Sequence, residues 1–322
     1  MRQIFRVALW TAMSLSVISS GQAADAWPSK PVRIVVPFGP GGGTDIQGRL
    51  LGKKFLESMK QTFVVDNRPG AGGLIGGEIV AHSPADGYTI LFTTASLSVN
   101  VTLYKKIPFD PLKDLEPVSW VSSVPLVLVV HPSVPAKTAP ELVALAKKRK
   151  GKMNGGSNGA GTTSYLSVEM LKQSAGVDVT NVPYKGGGPA IAALLAGEVD
   201  FEFATALAAQ PHIKSGKVRA LAVTTAKRSS AFPDLPTMAS FYPGFEVDNW
   251  YAMFFPTGTP KEIVAKLNAE IAKAVKSKEV HDFMSHEGAD PVASSPDQLA
   301  DYFKREVAKY AKIIKAGNIQ VQ

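Results

Sequence analysis

Twice along this chain a short extended stretch runs into a glycine-rich corner that opens a helical pattern. The first corner is Pro37-Phe38-Gly39-Pro40-Gly41-Gly42-Gly43-Thr44-Asp45, the second Gly155-Gly156-Ser157-Asn158-Gly159-Ala160-Gly161-Thr162-Thr163. Strands alternating with helices in this way predict an α/β protein with parallel sheets and helices on both faces. In open sheets of that kind ligands sit beyond the carboxyl ends of the strands, where these corners fall. The backbone N–H groups of such a corner, together with the helix start behind it, make a cradle for an anion. Two cradles predict one ligand gripped from both sides.

The repeat extends beyond the corners. In the first half, Val32 to Val36 reads as a strand, Thr44 to Met59 as a helix with Thr44 as its cap, and Thr62 to Asp66 as the next strand. Asn67-Arg68-Pro69-Gly70-Ala71-Gly72-Gly73 then leads to a short helix ending near His82, and Tyr88 to Thr94 reads as a strand. The second half follows the same order: a weak strand over Lys152 to Gly155, a helix over Thr163 to Ser174, a strand over Val179 to Pro183, a helix over Pro189 to Ala196 and a strand from Phe201.

Two further extended stretches, Val124 to His131 and Phe245 to Phe255, predict a two-stranded hinge. The lobes are then discontinuous: residues 24–124 with 246–322 form one and 125–245 the other. Leu299, Tyr302, Phe303, Tyr310, Ile313 and Ile314 recur at helical spacing, as a core-facing stripe does.

The N-terminus predicts export. Met1 to Ala23 carries Arg2, Arg6 and no acidic residue, an apolar stretch from Val7 to Ile18, and small residues through Gly21 and Ala23. That is the pattern of a signal peptide, with cleavage as late as Ala26. No later stretch approaches the roughly 20 apolar residues of a membrane span. Without cysteine there are no disulfides and no N-terminal lipid anchor, so the expected compartment is the periplasm. The net charge of +8 drops to about +6 once the leader is gone, which mildly favours anionic partners. Lys147-Lys148-Arg149-Lys150 lacks interleaved aromatics and reads as a solvated helix end, so no nucleic-acid partner is expected.

Several motifs together resemble a known family. Trp27-Pro28-Ser29-Lys30-Pro31-Val32-Arg33, the first corner with Arg49, Asn67 to Gly73, Ser157-Asn158-Gly159 with Gly161-Thr162, Val182-Pro183-Tyr184-Lys185-Gly186, Asp234-Leu235-Pro236-Thr237 and Trp250-Tyr251 are similar, in order and spacing, to the Bug family. These are the periplasmic substrate-binding proteins of tripartite tricarboxylate transporters. The resemblance implies a two-lobed, type II periplasmic-binding-protein fold, two doubly wound sheets that close on a small carboxylate and deliver it to a membrane permease. It implies a monomer with no cofactor and no catalytic or metal residues. It further implies that backbone amides and ordered waters hold the carboxylate in loops that here include Phe38, Gly42, Gly43, Thr44 and Asp45, then Thr94, Ala95 and Ser96, then Ser157, Asn158, Gly159, Gly161, Thr162 and Thr163, with Tyr165, Ala204 and Trp250 completing the set. Tyr165 stands where the family commonly has His, and Ala252 where Gly often follows the Trp-aromatic pair.

Alternatives stand beside this. Asp45 fits either a helix-dipole partner or a selector of polar ligand groups. Trp250 and Tyr251 fit either hinge packing or cleft lining. Gly155-Gly156-Ser157-Asn158-Gly159 matches the G-x-S-x-G elbow, with Asp200 and His212 following in hydrolase order, although Lys152-Met153-Asn154 is too short and polar for the buried strand an elbow requires. His281 and His286 lie about 140° apart on a helix, with no acidic cluster to join them in a metal site. A sensor kinase is a second possible recipient of the ligand in place of a permease.

Overall fold

A computed structural model describes residues 27–229, 231–286 and 288–320. The leader expected at Met1 to Ala23, and the later cleavage site at Ala26, lie outside the described residues.

In chain order the elements are β1 (Val32–Val36), α1 (Gly43–Met59), β2 (Phe63–Asn67), α2 (Leu74–Ala81), β3 (Thr89–Thr94), α3 (Ser96–Leu103), β4 (Leu115–Val130), α4 (Ala139–Lys148), β5 (Asn154–Ser157), α5 (Thr163–Ala175), β6 (Thr180–Pro183), α6 (Gly187–Ala196), β7 (Phe201–Thr205), α7 (Ala206–Lys214), β8 (Arg219–Val223), β9 (Asp248–Pro256), α8 (Lys261–Lys276), α9 (Lys278–His286), β10 (Asp290–Pro291) and α10 (Pro296–Ala316). The strands form two sheets that share β4. One runs β2-β1-β3-β9-β4, with β10 against β4. The other runs β4-β7-β5-β6, with β8 also on β4. Pairings within the strand-helix repeats are parallel, β1 with β2 and β3, β5 with β6 and β7. Those involving β9 and β4 are antiparallel, so both sheets are mixed.

β4 is twice as long as its apolar half alone predicts. Leu115 to Pro125 pairs with β9, Leu126 to Val130 pairs with β7 on one side, and Val127 to Val130 pairs with β8 on the other. The handover falls at Pro125, which has no N–H to give to a ladder. Register shifts at Pro117/Ser119 and Trp120/Ser122 bend the strand as it approaches this point. The return crossing runs through Thr224, whose N–H donates to Leu126 O and whose carbonyl accepts from Val247 N.

Local chemistry explains the boundaries. β1 is all β-branched apart from Arg33, and Val32, Ile34, Val35 and Val36 are buried, as a strand covered on both faces requires. α1 begins one residue earlier than expected: Gly42 is its N-cap and gives no side-chain cap, so Thr44 sits inside the first turn. Thr162, by contrast, caps α5 through its hydroxyl, which accepts from Tyr165 N at 3.1 Å. α10 opens with a capping box, Ser295 and Gln298 bonding each other's backbone with Pro296 between. Its buried stripe of Leu299, Phe303, Tyr310 and Ile314 packs beside α3 and β4. The chain end reaches α5, where Gln173 Nε2 donates to Gly317 O and Tyr165 OH donates to Gln320 O.

Candidate functional site

The two glycine-rich corners face one cavity. Gly39 N donates to Lys185 O at 2.7 Å, Tyr104 OH to Ala160 O at 3.3 Å, and Thr163 Oγ1 to Asn249 Oδ1 at 3.0 Å, each joining residues on the first sheet's side to residues on the second's. Between them lies a cavity of ≈ 20 Å³ lined by Phe38, Gly42, Gly43, Thr44, Thr94, Ser96, Asn158, Thr162, Thr163, Gly187, Thr205, Asn249 and Tyr251.

Five helices open onto this cavity. Gly43 and Thr44 begin α1, Ser96 begins α3, Thr162 and Thr163 begin α5, Gly187 begins α6, and Thr205 is the N-cap of α7. The first N–H groups of each helix have no partner inside it, and each end carries about half a positive charge. None of the lining residues bears a formal charge. The side chains add polar atoms with bonding capacity left over. Thr205 Oγ1, Tyr251 OH and Asn158 Oδ1 are buried with no hydrogen bond of good geometry. The Tyr251 hydroxyl stands among Thr205, Asn249 and Thr44, and burial raises its pKa far above the ordinary tyrosine value despite these neighbours. It is therefore a neutral donor. Such an arrangement stabilises a small anion by dipoles and neutral hydrogen bonds, without a buried cation.

Beside this cavity is an outer chamber of ≈ 200 Å³, lined by Pro37, Phe38, Gly70 to Gly73, Asn158, Gly159, Ala160, Pro183, Tyr184 and Lys185. Phe38 and Asn158 border both spaces.

Of the residues singled out from the sequence, Phe38, Gly42, Gly43, Thr44, Thr94, Ser96, Asn158, Thr162 and Thr163 line the inner cavity, and Gly159 lines the outer chamber. The others stand behind. Asp45 turns away: its carboxylate accepts from Gly41 N at 3.0 Å, Asn67 Nδ2 at 3.1 Å and the Arg49 guanidinium at 2.9 Å. Burial alone would raise its pKa, but these partners outweigh burial and hold it below the ordinary value. Ser157 Oγ donates to Asn181 Oδ1 at 2.8 Å, under the corner. Gly161 packs against Asn100 and Tyr104, and Ala95 N donates to Trp250 O at 3.0 Å. Ala204 points to the opposite face of β7 from Thr205. Trp250 packs on Tyr302 and Phe303, on the face of β9 opposite Tyr251. Tyr165 bonds the chain end, and Ala252 is buried in β9 opposite Thr93.

Sequence reasoning left out Gly187, Thr205 and Asn249, and left open between hinge packing and cleft lining the role of Tyr251. Strand alternation bears on the last, because only one of two neighbours on β9 can face the cleft. Thr205 is a strand-to-helix junction without glycine, so it lacked the signal that marked the two corners. The elbow-like trio is not assembled: Ser157 bonds Asn181, while Asp200 Oδ2 accepts from Asn154 N at 2.7 Å.

Comparison with known proteins agrees with this geometry. Residues 48–319 match the family model described as tripartite tricarboxylate transporter family receptor, TctC. The chain is 39% identical over 301 residues to Protein BugT of Bordetella pertussis, covering 92% of each sequence. Among solved structures, R. palustris Rpa4515 with adipate has a TM-score of 0.88 at 36% identity, covering 91% of this chain and 99% of that one. MatC (Rpa3494) from Rhodopseudomonas palustris with bound malate has a TM-score of 0.85 at 33% identity, covering 89% and 100%. The fold, the two-cornered site and these likenesses together place the chain in the TctC family of tripartite tricarboxylate transporter receptors, among the Bug-type substrate-binding proteins.

Proposed function

We propose that this protein works in the periplasm as a monomer, captures a small carboxylate in the inner cavity between lobes 24–124 with 246–322 and 125–245, and hands it to the permease subunits of a tripartite tricarboxylate transporter. The observation that carries the ligand class is the convergence of five helix N-termini on a cavity without a charged side chain. A carboxylate there accepts charge-assisted hydrogen bonds from neutral donors. It leaves again more easily than it would from a buried guanidinium fork, as a shuttle requires. Micromolar binding calls for only about 8 kcal/mol net, within reach of a few such bonds and cleft closure. The relatives with adipate and malate point to the same chemistry.

Thermal denaturation against a panel of mono-, di- and tricarboxylates tests the reading. A ligand at about 100 times its Kd adds roughly 2.7 kcal/mol of apparent stability. Tyr251→Phe and Thr205→Val, which remove one hydroxyl each from the cavity wall, are expected to lose about 1.5–3 kcal/mol of binding where the hydroxyl meets the charge. Ser133→Ala, on the loop after β4 where Ser133 bonds His131, binds normally. Shifts produced by the amides of these acids and not by the acids themselves would end the carboxylate reading.

A further inference from the structure

α10 begins on the first sheet and ends against the second. Near its start Tyr302 stacks on Trp120 of β4 at 4.0 Å, and further along Tyr310 OH donates at 2.7 Å to the carbonyl of Asp248, the residue that pairs with Pro125 at the handover between sheets. Beyond its last turn, residues 317–320 lie on α5, which packs on β5, β6 and β7. Gln173 Nε2 donates to Gly317 O, and Tyr165 OH donates to Gln320 O at 3.3 Å. Gln173 sits near the end of α5 and Tyr165 in its first turn, so the segment runs along the helix as a strap, against the helix direction.

That first turn belongs to the site. Thr162 Oγ1 accepts from Tyr165 N at 3.1 Å, and Thr162 and Thr163 line the inner cavity. Tyr165 therefore bonds the cavity wall through its N–H and the strap through its hydroxyl. Burial, with Glu169 and Tyr104 nearby, pushes its pKa up to about 12, which keeps the hydroxyl a donor. Ile319 anchors the strap among buried apolar side chains, while on the α3 side a groove of ≈ 620 Å³ bordered by Tyr104, Lys105, Lys315 and Ile319 leaves it room to move.

Resting on the reading of an anion site between two lobes, we infer that residues 317–320 are a latch that holds α5 in its closed position, with Tyr165 and Gln173 as the positioning residues that set how fast a bound anion leaves. Lobes that part carry α5 away from α10, so both bonds break on opening and re-form on closing. The latch acts on release more than on capture, because the open form that admits the ligand has not yet made these bonds.

Stopped-flow exchange on the mature protein, with adipate and malate as probes, tests the latch. Tyr165→Phe combined with Gln173→Ala is expected to raise the dissociation rate roughly five- to thirtyfold, the worth of two neutral hydrogen bonds, with the association rate and the ligand-free melting temperature little changed. A stop after Ala316 removes the acceptors instead of the donors, and the two changes together are expected to do no more than either alone. If the shortened chain does not fold, the double variant decides alone. Unchanged dissociation in the double variant, or donor and acceptor effects that simply add, overturns the latch and leaves the anion site standing. Parallel falls in ligand-free stability and in affinity reduce the pair to packing and overturn it as well. If these acids and the wider panel all fail to bind, the carboxylate reading fails, and small-angle scattering of the ligand-free proteins decides the latch: the double variant is expected to be the more expanded, and identical curves overturn it.

Discussion

β1 and β5 occupy equivalent places, each the strand that delivers its half's glycine-rich corner to the cavity, yet they are made of opposite materials. β1 supplies its own core with Val32, Ile34, Val35 and Val36, all buried. β5 is Asn154-Gly155-Gly156-Ser157 and supplies almost none. A Cβ on Gly155 would stand 2.6 Å from the Phe201 ring, so the aromatic of β7 fills the room a β5 side chain would take. Phe203 on the same strand stacks on Phe245 at 5.6 Å. The second half thus borrows its hydrophobic cover from β7 and carries polar groups inside. The lesson is that a repeated motif fixes backbone placement, while the source of stability is free to differ.

The corners differ in the same spirit. α1 starts without a side-chain cap, and the first corner is seated by the other lobe's backbone. A Cβ on Gly188 would overlap the Pro40 carbonyl oxygen, so the two backbone segments approach as only glycine allows. The largest expected effect follows from this. Gly188→Ala lies in α6, where alanine is the better helix former, so the lobe itself is not weakened. Closure must be, and ligand affinity is expected to fall roughly 100-fold or more with little change in the ligand-free melting temperature, given the usual scale of overpacking against unyielding atoms. Unchanged affinity would show that the first corner need not seat against the start of α6 for binding.

A comparable effect probes the polar interior of the second half. Glu202 on β7 is fully buried, both carboxyl oxygens lack a hydrogen bond, and burial pushes its pKa up from 4.5 to about 8. Between those values the folded protein keeps a proton that the unfolded chain has released, so stability falls as pH rises through the window. At pH 7 the loss relative to pH 4 amounts to about 3 kcal/mol from this group. Glu202→Gln is expected to flatten that slope in denaturant titrations from pH 5 to 8. An unaltered slope would mean that the carboxyl finds compensation when charged.

The smallest effects separate structure from binding in the second corner. Ser157→Ala removes the bond to Asn181 and is expected to cost about 1 kcal/mol of stability with affinity kept. Thr162→Ala removes the α5 cap, also about 1 kcal/mol, and takes a wall residue of the cavity with it, so affinity is expected to drop as well. Equal binding losses in the two variants would erase the distinction.

The same contrast explains what the sequence made legible. β1, the α10 stripe and both corners announce themselves through β-branched runs, helical spacing and glycine clusters, and all stand where those patterns put them. β5 was displaced, expected over Lys152 to Gly155 and found at Asn154–Ser157, because its own residues carry no hydrophobic signal. The first half of β4 was missed, since Glu116-Pro117 and Ser119 mask a strand that long-range pairing with β9 sustains. At the site, the corners were readable because glycine and helix-start residues cluster in sequence. Thr205, Asn249 and Tyr251 come together only through the fold, each from a different register of β7 or β9.

Pro125 marks a seam whose position carries a mechanical consequence. Immediately before it Val124 pairs with Asn249, which also lines the cavity and bonds Thr163, and immediately after it β4 belongs to the other sheet. The seam therefore lies one strand from the inner cavity, while Lys185 and the turn at Gly70 to Gly73 line the outer chamber. This is a lever with its load near the fulcrum. Any rotation of one sheet against the other at Pro125 would move Asn249 least and the lining of the outer chamber most.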